Sequence, residues 1–236
     1  RPATYNDNRE KKGGAKVWRK LGLNHLVQRV LSVKTSGHTT YSEVELLNDK
    51  NETIGSATFE YTIRKDGILS VQTRFVPDTT FVSSLARVGL VFEMPHSFNR
   101  VTYLGRGEHE TYADRKLSGR IGIYHTDAER MFHYYVRPQA TGNRSDVRWM
   151  QVSDVLENGL SVWGEKPFEF SVSPFTDENI DAAGHIIKVK RNGTVTVHLD
   201  ALQSGVGTAT CGPGVLAPYL VPVKEYLCSF EIRPFK

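Results

Sequence analysis

The chain lacks the features that define several protein classes. It has only two cysteines, Cys211 and Cys228, among 236 residues. Two thiols make no disulfide framework, and no C-x-x-C spacing offers a metal site. A cytosolic protein with free thiols is the simplest expectation. No apolar run approaches the roughly 20 residues needed to span a bilayer. The opening Arg-Pro-Ala-Thr-Tyr-Asn-Asp has neither an initiator Met nor the apolar core of a signal peptide. It reads as a piece cut from something longer. An excess of one charge is also missing: 30 basic against 26 acidic residues leave +4, too small and dispersed to suggest nucleic acid. The one basic cluster, Arg9, Lys11, Lys12, Lys16, Arg19 and Lys20, is opposed only by Glu10 and reads as a solvated loop beside Gly13 and Gly14. The eight histidines form no H-x-H or H-x-x-x-H pair, so metal catalysis has no support. There is no G-x-S-x-G elbow, and Gly205-Val-Gly207 is too short for a dinucleotide loop. The Asn-x-Ser/Thr triplets at Asn51, Asn143 and Asn192 matter only in a secreted chain.

Period-2 alternation is what the chain has in quantity. Over residues 55–63, Ala57, Phe59, Tyr61 and Ile63 share one face and Ser56, Thr58, Glu60 and Thr62 the other, the pattern of a half-buried strand. Asp66-Gly67 follows, then Leu69, Val71, Thr73 and Phe75 alternate again, which is a hairpin signal. Further strands are expected at 26–33, 41–47, 87–94, 100–104, 131–136, 146–152, 160–164, 168–172, 194–200 and 227–233. Only 176–183 invites a helix, with Thr176 as cap, Asp177 and Glu178 in the first turn and Gly184 as terminator. Strands and helices do not alternate, so a (β/α)8 barrel is not expected. Many short strands with one helix predict an all-β sandwich or barrel in a single domain, 1–236.

The candidate chemistry is thin. A glycosidase needs two carboxyl groups flanking the scissile bond. The densest acidic stretch is Glu108-His109-Glu110 with Asp114-Arg115. On a strand Glu108 and Glu110 would share a side, roughly 7 Å apart. The flanking glycines favour a loop instead, in which Glu110 and Asp114 accept backbone N–H groups or pair with Arg115 and Arg120. His109 is expected to brace that loop. Gly205, Gly207, Gly212 and Gly214 crowd around Cys211 and Pro213, giving a tight loop that either turns the chain or brings backbone close to a ligand. Trp18, Trp149 and Trp163 could stack on a sugar, but Trp149 and Trp163 fall in expected strands and read as core.

Four motifs go further. Residues 103–115, Tyr-Leu-Gly-Arg-Gly-Glu-His-Glu-Thr-Tyr-Ala-Asp-Arg, resemble the W/Y-x-G-x-G-P-x-E-x-Y-P-D-R signature of the C-terminal domain of family 2 β-galactosidases. Residues 135–149, Tyr-Val-Arg-Pro-Gln-Ala-Thr-Gly-Asn-Arg-Ser-Asp-Val-Arg-Trp, are similar to its Y-x-x-P-Q-E-N-G-N-R-x-x-V-R-W. Residues 199–213, with Gly205-Val-Gly207 and Cys211-Gly-Pro213, resemble its last G-V-G-G-x-x-W/C-G-P loop, and Arg1-Pro-Ala-Thr-Tyr-Asn-Asp7 resembles R-x-x-T-D-N-D. The blocks occur in the family's order. The departures are Glu108 and Ala113 for two prolines, Ala140-Thr141 for Glu-Asn, and Tyr5 for Asp.

The resemblance implies a galactose-mutarotase-like supersandwich of many antiparallel strands, entered some strands after the family domain's usual start, so truncated at its N-terminal edge. It implies a non-catalytic domain or small subunit. The catalytic glutamates, and any Mg or monovalent cation, would belong to a barrel outside this chain, which itself would bind no cofactor. The partners implied are that barrel or large subunit, a galactoside such as lactose, and an oligomer; no nucleic acid or membrane partner is expected. Cys211, Asn6 and Asp7 would border the substrate. Glu110, Asp114, Arg115, Asn143, Arg144 and Arg148 would form an ion and hydrogen-bond network that fixes loops. A stand-alone carbohydrate-binding module, needing an exposed aromatic platform, and a mutarotase-like epimerase, needing an acid and a base on one concave face, are the alternatives.

Overall fold

The computed structural model describes residues 1–9, 14–80, 84–207 and 214–236. Two short helices open it, α1 (Tyr5–Arg9) and α2 (Gly14–Lys20), followed by β1 (Val27–Ser36), β2 (Thr39–Leu47), β3 (Thr53–Ile63), β4 (Leu69–Pro77), β5 (Arg87–Pro95), β6 (Arg100–Gly107) and β7 (Arg120–Asp127). Then come α3 (Ala128–Met131), β8 (Arg144–Ser153), β9 (Gly159–Ser173), α4 (Asp177–Ala182), β10 (Thr194–Gln203) and β11 (Tyr226–Phe235). Among the described residues all eleven strands belong to one sheet, ordered β1-β2-β3-β4-β11-β9-β8-β6-β7, with β10 joining β9 to β5. Every pairing between them is antiparallel. The expected all-β class is the one found.

β9 organises the sheet. Its first part, from Gly159 to Gly164, pairs with β11, and its last part, from Glu169 to Ser173, pairs with β10. One strand therefore serves two arms, and a single core lies between them. That core joins Val88 and Met94 of β5, Val101 and Tyr103 of β6, Phe168 and Phe170 of β9, Val197 and Leu199 of β10 and Phe230 of β11. Each aliphatic or aromatic side chain fully removed from water here contributes roughly 1.5–3 kcal/mol. Phe132, Phe175 and Ile180 form a small satellite cluster under α4.

The β3–β4 hairpin has the expected register, Ile63 opposite Leu69, with Gly67 at φ +80° in the turn. α4 is capped as expected, Asn179 N donating to Thr176 Oγ1 at 3.2 Å. Four expectations need correction. The one expected helix, α4, is joined by the short helices α1, α2 and α3. Residues 131–136 are not a strand: Asp127 caps α3 by accepting from Arg130 N at 2.8 Å, and Phe132 then turns into the satellite cluster. The basic cluster is no simple loop, because Gly14–Lys20 is α2 with Ala15 and Trp18 buried against the body; Lys11 and Lys12 lie outside the described residues. Trp149 and Trp163 are cross-strand neighbours, half-buried rather than core, with the Arg233 guanidinium 5.6 Å from the Trp163 ring centre. β7 was not anticipated; its Ile121 and Ile123 face outward.

Candidate functional site

The four motifs are far apart in sequence and meet at one end of the sheet. In the opening segment Thr4 and Asp7 cap α1 reciprocally: Asp7 N donates to Thr4 Oγ1 at 3.1 Å, and Thr4 N and Oγ1 each donate to Asp7 Oδ2 at 2.8 Å. Such a box satisfies amides that a helix start leaves open. The Arg1 guanidinium pairs with the same carboxylate at 2.9 Å and donates to Gly205 O at 3.1 Å. Asn6 Nδ2 donates to Val206 O at 3.0 Å. Asn6 and Asp7 are both buried; Asn6 ties the segment to the 205–207 backbone, and Asp7 braces it from within.

From the second motif, Asp114 faces the same backbone. Val206 N donates to its Oδ1 at 3.1 Å and Gly207 N to its Oδ2 at 2.7 Å. The approach is close enough that a Cβ on residue 205 would lie 2.5 Å from the Asp114 carboxyl, and one on Gly207, at φ +87°, 2.4 Å from Asn6 Nδ2. Both glycines are therefore dictated by contact. Cys211 lies outside the described residues.

Glu110 binds the third motif. Past the end of β6 it accepts from Tyr135 Oη, from Thr141 Oγ1 at 2.9 Å and from Gly142 N at 2.9 Å, and pairs with Arg115. Burial raises its pKa, but the Tyr135, Gly142 and Thr141 hydrogen bonds and Arg115 outweigh that and hold it below the usual carboxylate value. Glu108 is exposed and His109 bonds Ser118 Oγ at 2.8 Å, so no pair of carboxylates stands ready on this segment. Asn143 is buried, donating to Thr111 O at 2.9 Å and to Glu169, and accepting from Gln203 Nε2 at 3.2 Å. Arg144, also buried, uses no carboxylate: it donates to Tyr103 Oη at 2.9 Å and to the carbonyls of Gly142 and Asn143. Arg148 stands apart, exposed, with its guanidinium on Asp146 O. The expected ion and hydrogen-bond network thus holds one Arg–carboxylate pair, Arg115 with Glu110, its other contacts are hydrogen bonds divided between backbone and side chains, and Arg148 lies outside it.

Beside this junction the sequence reading missed a buried charged group. Arg87 pairs with Asp177 and lies 4.0 Å from Asp200, while His198 Nε2 sits 3.4 Å from Asp177. They form the polar side of a cavity of about 550 Å³ whose other wall includes Trp18, Phe75 and Leu85. Burial opposes ionisation of Asp177, yet Arg87 and His198 hold its carboxyl well below the ordinary range. Asp200, on the same strand face as His198, is raised, burial outweighing Arg87. Its cross-strand neighbour Glu169 is pushed up to about 8, mainly by burial and despite the Asn143 hydrogen bond. The missed signal was Glu169 between Phe168 and Phe170, a carboxyl inside an apolar run. Among the described residues no group of three or more His, Cys, Asp or Glu is placed to hold a metal.

A family model described as β-galactosidase small chain matches residues 1–232. The chain belongs to the β-galactosidase small-chain family. Its curated relatives include β-galactosidases of Priestia megaterium, 29% identical over 92% of this chain and 21% of that protein, and of Kluyveromyces lactis, 29% identical over 98% and 23%. The β-galactosidase of Actinobacillus pleuropneumoniae is 30% identical over 73% of this chain and 16% of its own length. The small chain thus spans about a fifth of the relatives it matches. Similar solved structures include galactose 1-epimerase from Lactobacillus acidophilus, with a TM-score of 0.48 at 7% identity, covering 89% of this chain and 66% of that one. Among the described residues no helix is long and apolar enough to cross a membrane.

Proposed function

We propose that this small chain is the non-catalytic part of a β-galactosidase acting on terminal β-galactosides such as lactose. In this reading it packs on a larger catalytic chain or barrel domain, which supplies the two catalytic glutamates and any Mg or monovalent cation. The junction of the four motifs forms part of the substrate wall, the chain running on from Gly207 to Cys211 and the 1–7 loop lying alongside. The observation that carries the reading is convergence: the segments matching the family signatures all meet at one end through named contacts. The family match over residues 1–232 and the fifth of its relatives' length that the chain spans support the same division of labour.

A partner surface is also available. β1 is exposed along nearly its whole length, with Val27, Val30, Leu31 and Val33 each between 51% and 60% exposed and Tyr61 and Ile63 nearby on β3. Apolar surface of this extent marks protein contact. The test is complementation. The purified chain alone should not hydrolyse a chromogenic galactoside, and mixing it with a β-galactosidase large chain lacking this region should restore turnover. Hydrolysis by the chain alone, or no activity on mixing despite assembly, would refute the assignment.

A further inference from the structure

We infer that Asp114 is a positioning residue for the substrate wall, clamping its backbone at 206–207; this rests on the small-chain reading above. Three features of the geometry carry it. The carboxylate gives one oxygen to each of two successive amides, Val206 N at 3.1 Å and Gly207 N at 2.7 Å. Two amides converging on one carboxylate form a charge-assisted pair of bonds. No cation is paired with Asp114 among the described residues, and its neighbour Arg115 turns to Glu110 instead. The carboxylate's recorded bonds therefore go to the loop. Finally, the opposite side of the same dipeptide is held by Asn6 Nδ2 on Val206 O and by Arg1 on Gly205 O. The segment is gripped from both sides, by residue 114 and by the 1–7 loop, and the glycines at 205 and 207 are what let both grips come so close.

The chemistry discriminates Asp from its isostere. An amide has one acceptor oxygen and a two-donor nitrogen, so Asp114→Asn fills the same space but sets an N–H group against one of the two backbone N–H groups. One hydrogen bond is lost and a repulsion replaces it, with no cavity made. A wall that is merely displaced should bind substrate less well in ground state and transition state alike, which raises KM and spares kcat.

The test compares the unmodified chain, Asp114→Asn and Asp154→Asn. Asp154 serves as the control because it too accepts from backbone amides, Leu156 N at 2.8 Å and Asn158 N at 3.0 Å, but in the turn between β8 and β9, outside the four motifs. In Asp114→Asn, amide hydrogen exchange at Val206 and Gly207 should rise about tenfold or more, with the melting temperature kept within ~3 °C. In complex with the large chain, KM for a chromogenic galactoside should rise about tenfold while kcat changes less than about threefold. Asp154→Asn should lower the melting temperature and leave KM unchanged. Unchanged exchange at 206–207, or an unchanged KM in an assembled complex, overturns the inference. If KM rises equally in Asp154→Asn, the effect is general loosening and the assignment to Asp114 is also overturned. Failure of the unmodified chain to restore activity is a different outcome: it refutes the small-chain reading, and the positioning role with it, before any variant is compared.

Discussion

Two regions of this sheet treat polarity in opposite ways. In β1–β3 apolar side chains stand in water: Val30, Val33 and Ile63 are 59–60% exposed. Where β9 and β10 pair, polar and charged side chains are out of water: Glu169, Ser171, Thr196, His198 and Asp200 are all buried. The first arm buries Val44, Leu47, Ile54 and Ala57 at its base and leaves the apolar side chains of β1 and of the β3 tip available to a partner. The second carries the desolvation of several ionisable groups, which only mutual pairing offsets. Stability within the chain is therefore concentrated around β9 and β10.

Breaking the charged group should have the largest effect. Arg87→Leu removes the cation that faces both Asp177 and Asp200 and leaves the half-buried Asp177 and the buried Asp200 without it. We expect a loss of about 3–5 kcal/mol in urea unfolding; a loss below about 1 kcal/mol would show that the group carries no such weight. The next effect is a pH dependence at Glu169. Its folded pKa, about 8, is raised from the ordinary 4.5, so the folded state holds the proton more tightly than the unfolded chain. That contribution is complete below about pH 4.5 and is lost as pH rises toward 8. Asp177 has the opposite sign: its depressed pKa contributes stability above about pH 4 that is lost on acidification. Glu169→Gln should flatten the alkaline decline in unfolding curves recorded from pH 5 to 9; parallel curves for the two proteins would count against the buried-acid assignment. The smallest effect belongs to the other arm. Val33→Thr should change the stability of the chain by no more than about 0.5 kcal/mol while weakening assembly with the large chain. A loss of several kcal/mol at that position would mean that β1 is covered from within.

How much of this was legible depended on whether the signal lay in a side chain. The β3–β4 hairpin announces itself through Asp66-Gly67, and α4 through Thr176. The alternation of Ala57, Phe59, Tyr61 and Ile63 was read correctly as one face, but alternation does not say what that face meets. Ala57 is buried and Ile63 is 60% exposed, because β3 runs out of the core toward its tip. At the site, the expectation that Glu110 and Asp114 accept backbone N–H groups holds, but which amides they meet, Gly142 for one and Val206 and Gly207 for the other, has no signature in the sequence. Arg144 and Arg148 are spaced like partners of one network and separate in the fold, one buried on Tyr103 and the other exposed. Arg87, Asp177 and His198 belong to three elements, and nothing local links them.

β9 passes from one set of neighbours to another, and Pro167 sits in that passage, after the last residue paired with β11 and before the first paired with β10. A residue that cannot donate a backbone hydrogen bond costs a sheet nothing where no partner awaits it. Just before it the backbone doubles back so sharply that a Cβ on Gly164 would lie 2.6 Å from the Lys166 carbonyl oxygen. The strand is creased there, as a sheet of paper is creased, and remains one piece. The exposed arm and the charged one are thus two panels of a single folded page, joined along that line.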